Sequence, residues 1–132
     1  DIQLMDADSG EELRSFSEHP FRREKPVAAS PDGARVIGVE GFSILMWRVE
    51  TGKLLRRWCC AGVESVAFSP DGTRALFGCF NTVAMLRSTE ECPRECQAYR
   101  RGANDCLCSP LLMLQGHRGA VKSVAFSADG RR

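Results

Sequence analysis

Cysteine and histidine are the residue types in this chain that could most readily do chemistry, and there are seven cysteines and two histidines. Four cysteines fall in one polar stretch: Cys92, Cys96, Cys106 and Cys108. Four thiolates could bind zinc, although Cys-x3-Cys and Cys-x-Cys spacings depart from the usual Cys-x2-Cys pairs. Disulfides are a second interpretation, which would need an oxidising compartment. Unpaired thiols in a long loop are the default, so we expect no metal and no cofactor.

The remaining cysteines and the histidines offer no catalytic constellation. Cys59, Cys60 and Cys79 lie in strand-like apolar contexts, and the histidines are His19 and His117. Cys59 and His117 occupy equivalent positions of a repeat, so they lie one repeat apart. That is too far for the hydrogen bond of ~3 Å that activates a nucleophile. No glycine-rich phosphate loop with a following Lys-Ser/Thr is present, and we expect that the chain is not an enzyme.

One short phrase recurs three times along the chain. The copies are Val27-Ala28-Ala29-Ser30-Pro31-Asp32-Gly33, Val66-Ala67-Phe68-Ser69-Pro70-Asp71-Gly72 and Val124-Ala125-Phe126-Ser127-Ala128-Asp129-Gly130. The match between the first two copies extends to Arg35 and Arg74, and further along both units. A repeated unit of about 40 residues cannot bury its own apolar face, so it must stack on its neighbours.

Each copy of the phrase has the composition of a hairpin turn. Proline presets φ, aspartate supplies an acceptor and glycine tolerates positive φ. The turn-forming positions are Asp32, Gly33, Asp71, Gly72, Asp129 and Gly130. Apolar runs precede and follow each of the first two turns, and two further runs complete each of those units, which predicts four antiparallel strands per unit. Four-stranded units of this length are typical of β-propeller blades.

Two flanking motifs carry a family resemblance. Gly116-His117 resembles the Gly-His opening of a WD40 repeat, and Met46-Trp47-Arg48 resembles its Trp-Asp close with arginine replacing aspartate. The chain is therefore similar to the WD40-repeat β-propeller family, in a degenerate, bacterial-type form. The resemblance implies that Trp47 and His117 are structural positions, with His117 buried. No complete His/Ser/Asp/Trp network is legible in any unit, so we expect apolar packing to carry more of the stability.

The phase of the repeat divides the chain into four parts. Residues 1–16 should supply the last strands of a partial blade, residues 17–58 a whole blade, and residues 59–115 a second blade with a cysteine-rich hairpin insert at about 88–110. Residues 116–132 should supply the first strand and turn of a further blade. We expect an all-β propeller fragment with two whole and two partial blades, because closed propellers have about four to eight. The remaining blades would come from the same longer chain or from an oligomer.

Composition narrows the choice of partner. The chain has 18 basic and 17 acidic residues and a net charge of +1, which argues against a nucleic-acid footprint. No run of about 18 apolar residues is present, so we expect no membrane span. No targeting segment is visible, and the expected location is cytoplasmic.

Two functions from different classes fit this sequence. The family resemblance implies a protein–protein interaction scaffold that binds other proteins or peptides and has no chemistry of its own. Phe42, Phe80 and the inserted loop at about 88–110 are candidate contact points, the two phenylalanines because they lie in turn regions. The alternative is a regulatory or sensory segment of a larger enzyme, such as a bacterial serine/threonine protein kinase. A kinase glycine-rich loop and His-Arg-Asp motif upstream of Asp1 would decide for the alternative.

Overall fold

Extended runs between glycine-containing turns become ten strands in a computed structural model, which describes residues 2–16, 25–60, 62–90 and 110–132. The strands are β1 Ile2–Met5, β2 Glu12–Phe16, β3 Val27–Ala29, β4 Arg35–Glu40, β5 Ser43–Arg48, β6 Leu54–Cys59, β7 Val63–Phe68, β8 Arg74–Cys79, β9 Ala84–Ser88 and β10 Leu112–Leu114. The described residues contain no helix, and therefore none that is long and apolar enough to cross a membrane.

The strands form three antiparallel sheets in which sequence neighbours pair. Strands β3 to β6 make one four-stranded sheet, which we call the first blade, and β7 to β10 make another, the second blade. Strands β1 and β2 form an N-terminal hairpin. The prediction of an all-β chain built from four-stranded antiparallel blades is confirmed.

The central strands of the first blade are buried on both faces, because a neighbouring sheet lies on each side. Ile37 and Ile44 point into a core shared with Phe77 of the second blade, and all three are fully buried. On the opposite face, Trp47 packs against Phe16 of the N-terminal hairpin at 6.1 Å between ring centroids. Complete burial of an isoleucine or phenylalanine side chain stabilises the fold by about 1.5–3 kcal/mol. Apolar contact between sheets therefore holds the blades together.

The three Ser-x-Asp-Gly turns fold alike around the serine hydroxyl. In the second turn, Ser69 Oγ donates to Asp71 at 2.5 Å and accepts the backbone N–H of Arg74 at 2.9 Å. The Asp71 carboxylate also accepts the N–H of Thr73 at 2.9 Å. The same bonds recur at Ser30 and Ser127. Each turn thus satisfies its own polar groups, and each serine fixes the backbone of the residue five positions later.

In the first two turns that residue is an arginine whose side chain reaches the next unit. Arg35 Nη2 donates to the Gly72 carbonyl at 2.9 Å, and its guanidinium lies 5.8 Å from the Phe68 ring centroid. Arg74 repeats the geometry one blade later, at 2.9 Å from the Gly130 carbonyl and 5.9 Å from Phe126. A charge-assisted hydrogen bond and a cation–π contact therefore recur at each junction.

We expected a first strand and a turn in the segment 116–132, but this segment contains no strand. A strand needs a ladder partner, and the third unit has no second strand among the described residues. The segment nevertheless follows the second blade closely: the Val121 N–H donates to the Cys79 carbonyl at 3.0 Å, and Ser65 Oγ donates to the Val121 carbonyl at 3.1 Å. Its turn at Asp129 and Gly130 is fully formed.

Replacing Gly72 by valine should lower the free energy of unfolding by about 1–3 kcal/mol. Gly72 has φ of +71°, and a Cβ there would lie 2.9 Å from Arg35 Nη2. Urea unfolding of Gly119→Val is the matched control, because no atom lies within 4 Å of a Cβ at Gly119. Equal unfolding midpoints for the two variants would contradict the assignment.

Replacing Arg35 by methionine should lower the free energy of unfolding by about 1–3 kcal/mol, since the hydrogen bond to Gly72 and the contact with Phe68 are lost together. Arg131→Met removes an exposed arginine next to the third turn and should change stability little. Chemical denaturation of both variants tests this, and an Arg35→Met protein as stable as Arg131→Met would show that the junction contact is unimportant.

Candidate interaction surface

The two ends of the blades present different groups. The Ser-x-Asp-Gly turns lie at one end, the turn face, together with the β5–β6 turn, where the Val49 N–H donates to the Ala34 carbonyl at 2.9 Å. The other end, the connector face, holds the β4–β5 turn, the β8–β9 turn and the connector between the blades. Cys60 and Gly62 are the described residues of that connector.

Two exposed phenylalanines stand on the connector face. Phe42 is 76% exposed in the β4–β5 turn, and Phe80 is 55% exposed in the β8–β9 turn. The connector joins them through the backbone: the Cys60 N–H donates to the Phe42 carbonyl at 2.9 Å, and the Phe80 N–H donates to the Gly62 carbonyl at 2.8 Å. The pair is therefore held on one surface by main-chain hydrogen bonds.

Gly62 is required for this arrangement. Its φ is +70°, and a Cβ at this position would come within 1.8 Å of the Phe80 ring. The ring therefore lies directly against bare backbone. This contact restricts the orientation of an aromatic side chain that remains open to solvent.

Charged residues alternate in sign at the equivalent position of successive units. Lys25, Glu64 and Lys122 each stand two residues before the first valine of a repeat phrase. Lys122 Nζ donates to Glu64 at 2.8 Å and lowers the pKa of that carboxyl, with a smaller contribution from the charge of Lys25. Because the Lys122 side chain is 71% exposed, solvent screens the pair and its contribution to stability is small.

Two cysteines meet beneath the connector face. Cys60 Sγ and Cys79 Sγ lie 3.5 Å apart and are not joined by a disulfide. Either thiol can donate the hydrogen bond between them, but only Cys79 can donate once Cys60 is ionised. This bond lowers the pKa of Cys60 to about 7, and the positive charge of Arg87 acts in the same direction. The same hydrogen bond and burial raise the pKa of Cys79. Cys60 is thus the more readily ionised thiol.

The turn face carries acidic groups that are already satisfied. The hydroxyl of Ser69 and the N–H of Thr73 hold the pKa of Asp71 down to about 2, and the equivalent bonds lower the pKa of Asp32 and Asp129. An open groove at this end of the first blade includes Asp32 and Arg35 in its lining. Both side chains are engaged in the fold, so the turn face is the weaker candidate surface.

The residues singled out in the repeat now have definite places. Trp47 is buried between the first blade and the N-terminal hairpin. Asp32, Gly33, Asp71, Gly72, Asp129 and Gly130 form the three turns, and all three glycines have positive φ. His117 is exposed, so the expected burial was wrong. The described part of its unit contains no strand that could cover it.

Most of the cysteine-rich insert expected at about 88–110 lies outside the described residues. Cys92, Cys96, Cys106 and Cys108 lie outside the described residues, as does His19. Within the described residues, no group of three or more His, Cys, Asp or Glu side chains is arranged to hold a metal ion. The strands that flank the insert do pair, since Leu112 lies opposite Leu86, which confirms the fourth strand expected after it.

Comparison with known proteins agrees with this fold. Residues 108–132 match the family model described as WD domain, G-beta repeat. The chain carries a WD40 repeat. Its fold, two four-stranded antiparallel blades flanked by parts of others, is that of a β-propeller fragment. No curated protein matches the chain.

A solved structure resembles this fold over nearly the whole chain. Kuenenia stuttgartiensis hydrazine synthase has a TM-score of 0.71 to this chain at 15% sequence identity. The match covers 98% of this chain and 33% of the other. At this level of identity the likeness shows the fold alone, and the WD40-type chain spans about a third of the length of that protein.

Alkylation of Cys60 by iodoacetamide should reach half its maximal rate near pH 7, because the thiolate is the reactive form and the pKa is about 7. The rate should rise with pH through that value. Cys79→Ala removes the hydrogen-bond donor and should move the midpoint upward, toward the ordinary thiol pKa of about 8.5. Peptide mass spectrometry measures both rates, and an unchanged midpoint in Cys79→Ala would contradict the donor role.

Proposed function

We propose that this WD40-type chain is a protein–protein interaction scaffold, and that it binds a protein or peptide on the connector face. The observation that carries the proposal is the pair of exposed rings, Phe42 and Phe80, held by backbone hydrogen bonds to one connector. Aromatic side chains are enriched among residues that dominate binding energy. The Phe80 ring, which lies against Gly62, loses little freedom when a partner binds.

The chemistry of the surface suggests what a partner should present. The two rings offer apolar contact, and the connector ends of the first strands offer the charges of Lys25, Glu64 and Lys122. A partner with an apolar or aromatic anchor flanked by charged groups would complement both. A net charge of +1 favours protein over nucleic acid as the partner, and no cofactor is part of the proposal.

The proposal gives the chain no chemistry of its own. WD40 repeats support a role in protein interaction at the coarser level, and the scaffold role is the finer inference drawn from the connector face. The alternative, a regulatory segment of a larger enzyme such as a bacterial serine/threonine protein kinase, would use the same rings against an attached domain. Both versions place the binding energy on Phe42 and Phe80.

Panning a phage-displayed peptide library on the purified chain should enrich peptides with an apolar anchor. Phe42→Ser and Phe80→Ser should each weaken binding of the selected peptides by at least about 10-fold, because a central aromatic contact is lost. Leu13→Ser is the control, since Leu13 is also 58% exposed but lies in β2 of the N-terminal hairpin. Isothermal titration measures the three affinities, and equal losses in all three variants would contradict the proposal.

A further inference from the structure

A pair of thiols beneath the connector face has the geometry of a redox-active site. Cys60 Sγ and Cys79 Sγ are 3.5 Å apart, whereas a disulfide bond is about 2.05 Å long. A movement of roughly 1.5 Å would therefore join the two sulfurs. Cys60 belongs to the connector after β6, and Cys79 is the last residue of β8, so the pair links the connector to the second blade.

The two thiols differ in access to solvent. Cys79 is only 1% exposed and belongs to the core between the blades, whereas Cys60 is half-buried at its edge. A small oxidant can therefore reach Cys60 first, while Cys79 is protected from direct attack. This division between an accessible thiol and a shielded one is the arrangement needed for a reacting and a resolving cysteine.

The backbone holds both cysteines in register. The Cys60 N–H donates to the Phe42 carbonyl at 2.9 Å, and the Cys79 N–H donates to the Val83 carbonyl at 2.9 Å. The Cys79 carbonyl accepts the Val121 N–H from the third unit at 3.0 Å. The sulfurs therefore stay close without a covalent link, and the positive charge of Arg87 acts on both.

We propose that Cys60 and Cys79 form a redox-active dithiol that closes to a disulfide when a hydroperoxide oxidises Cys60. The ionised Cys60 sulfur attacks the peroxide, an S–O bond forms, the O–O bond breaks, and the released hydroxide takes up a proton to become water. Cys60 is then a sulfenic acid, oxidised by two electrons, and the peroxide is reduced.

The second step uses the shielded thiol. The Cys79 sulfur attacks the Cys60 sulfur, an S–S bond forms, the S–O bond breaks, and the leaving hydroxide takes the Cys79 proton as water. Two thiols and one hydrogen peroxide thus give one disulfide and two waters. The new bond would tie the connector to the end of β8, between the segments that hold Phe42 and Phe80.

Peptide mapping of the whole chain tests this directly. The reduced protein is treated with one equivalent of hydrogen peroxide, remaining thiols are blocked with iodoacetamide, and trypsin digestion follows without reduction. Cleavage after arginine places Cys60 in the peptide 58–74 and Cys79 in the peptide 75–87. We expect these two peptides joined by a disulfide that dithiothreitol cleaves. Recovery of peptide 75–87 with an alkylated Cys79 after full oxidation would overturn the proposal.

Three cysteine-to-serine variants identify which two sulfurs form the disulfide. Cys59 shares the peptide 58–74 with Cys60, so Cys59→Ser should keep the crosslink and Cys60→Ser should abolish it. Cys79→Ser should leave Cys60 as a sulfenic acid that dimedone traps. A crosslink that is lost in Cys59→Ser, or that joins peptide 58–74 to a peptide of the cysteine-rich insert, would show that other cysteines form the disulfide. Either result would overturn the proposal. Because the wild-type map decides by itself, a variant that fails to fold does not leave the proposal open.

Discussion

The hydrogen bond from an arginine of one blade to a glycine carbonyl of the next is the contact on which the alignment of the blades depends. Arg35 reaches Gly72, and Arg74 reaches Gly130. In both cases a serine fixes the backbone of the arginine, and the acceptor glycine has positive φ. A correctly formed turn thereby also positions the neighbouring unit, because its glycine carbonyl accepts the hydrogen bond from the arginine of the preceding unit.

The alignment also bears on the connector face. With the turn ends aligned by the arginines and the middle of the blades packed around Phe77, the opposite ends are brought together as well. The connector can then bond to the Phe42 carbonyl on one side and to the Phe80 N–H on the other. Surface rings that would be mobile on isolated hairpins are instead supported by two packed sheets.

Much of this architecture could be predicted from the repeat, because strands and turns are encoded locally in apolar runs and Ser-x-Asp-Gly phrases. Features that join separate units could not. The match of Arg35 with Arg74 is visible in the sequence, but their reach to the next blade is a matter of three-dimensional placement. His117 resembles a buried residue by motif, yet burial depends on neighbouring strands. Cys60 and Cys79 are separated along the chain and meet because β7 pairs with β8, which brings the connector before β7 beside the end of β8.

The charge alternates in sign at Lys25, Glu64 and Lys122, and this alternation favours one order of neighbouring units. A blade that carries glutamate at this site is attracted to either neighbour, whereas the two lysine-bearing units would repel each other if they were placed side by side. Because the Glu64–Lys122 pair is exposed to solvent, this preference is small, yet it distinguishes units whose repeat phrases are otherwise almost interchangeable.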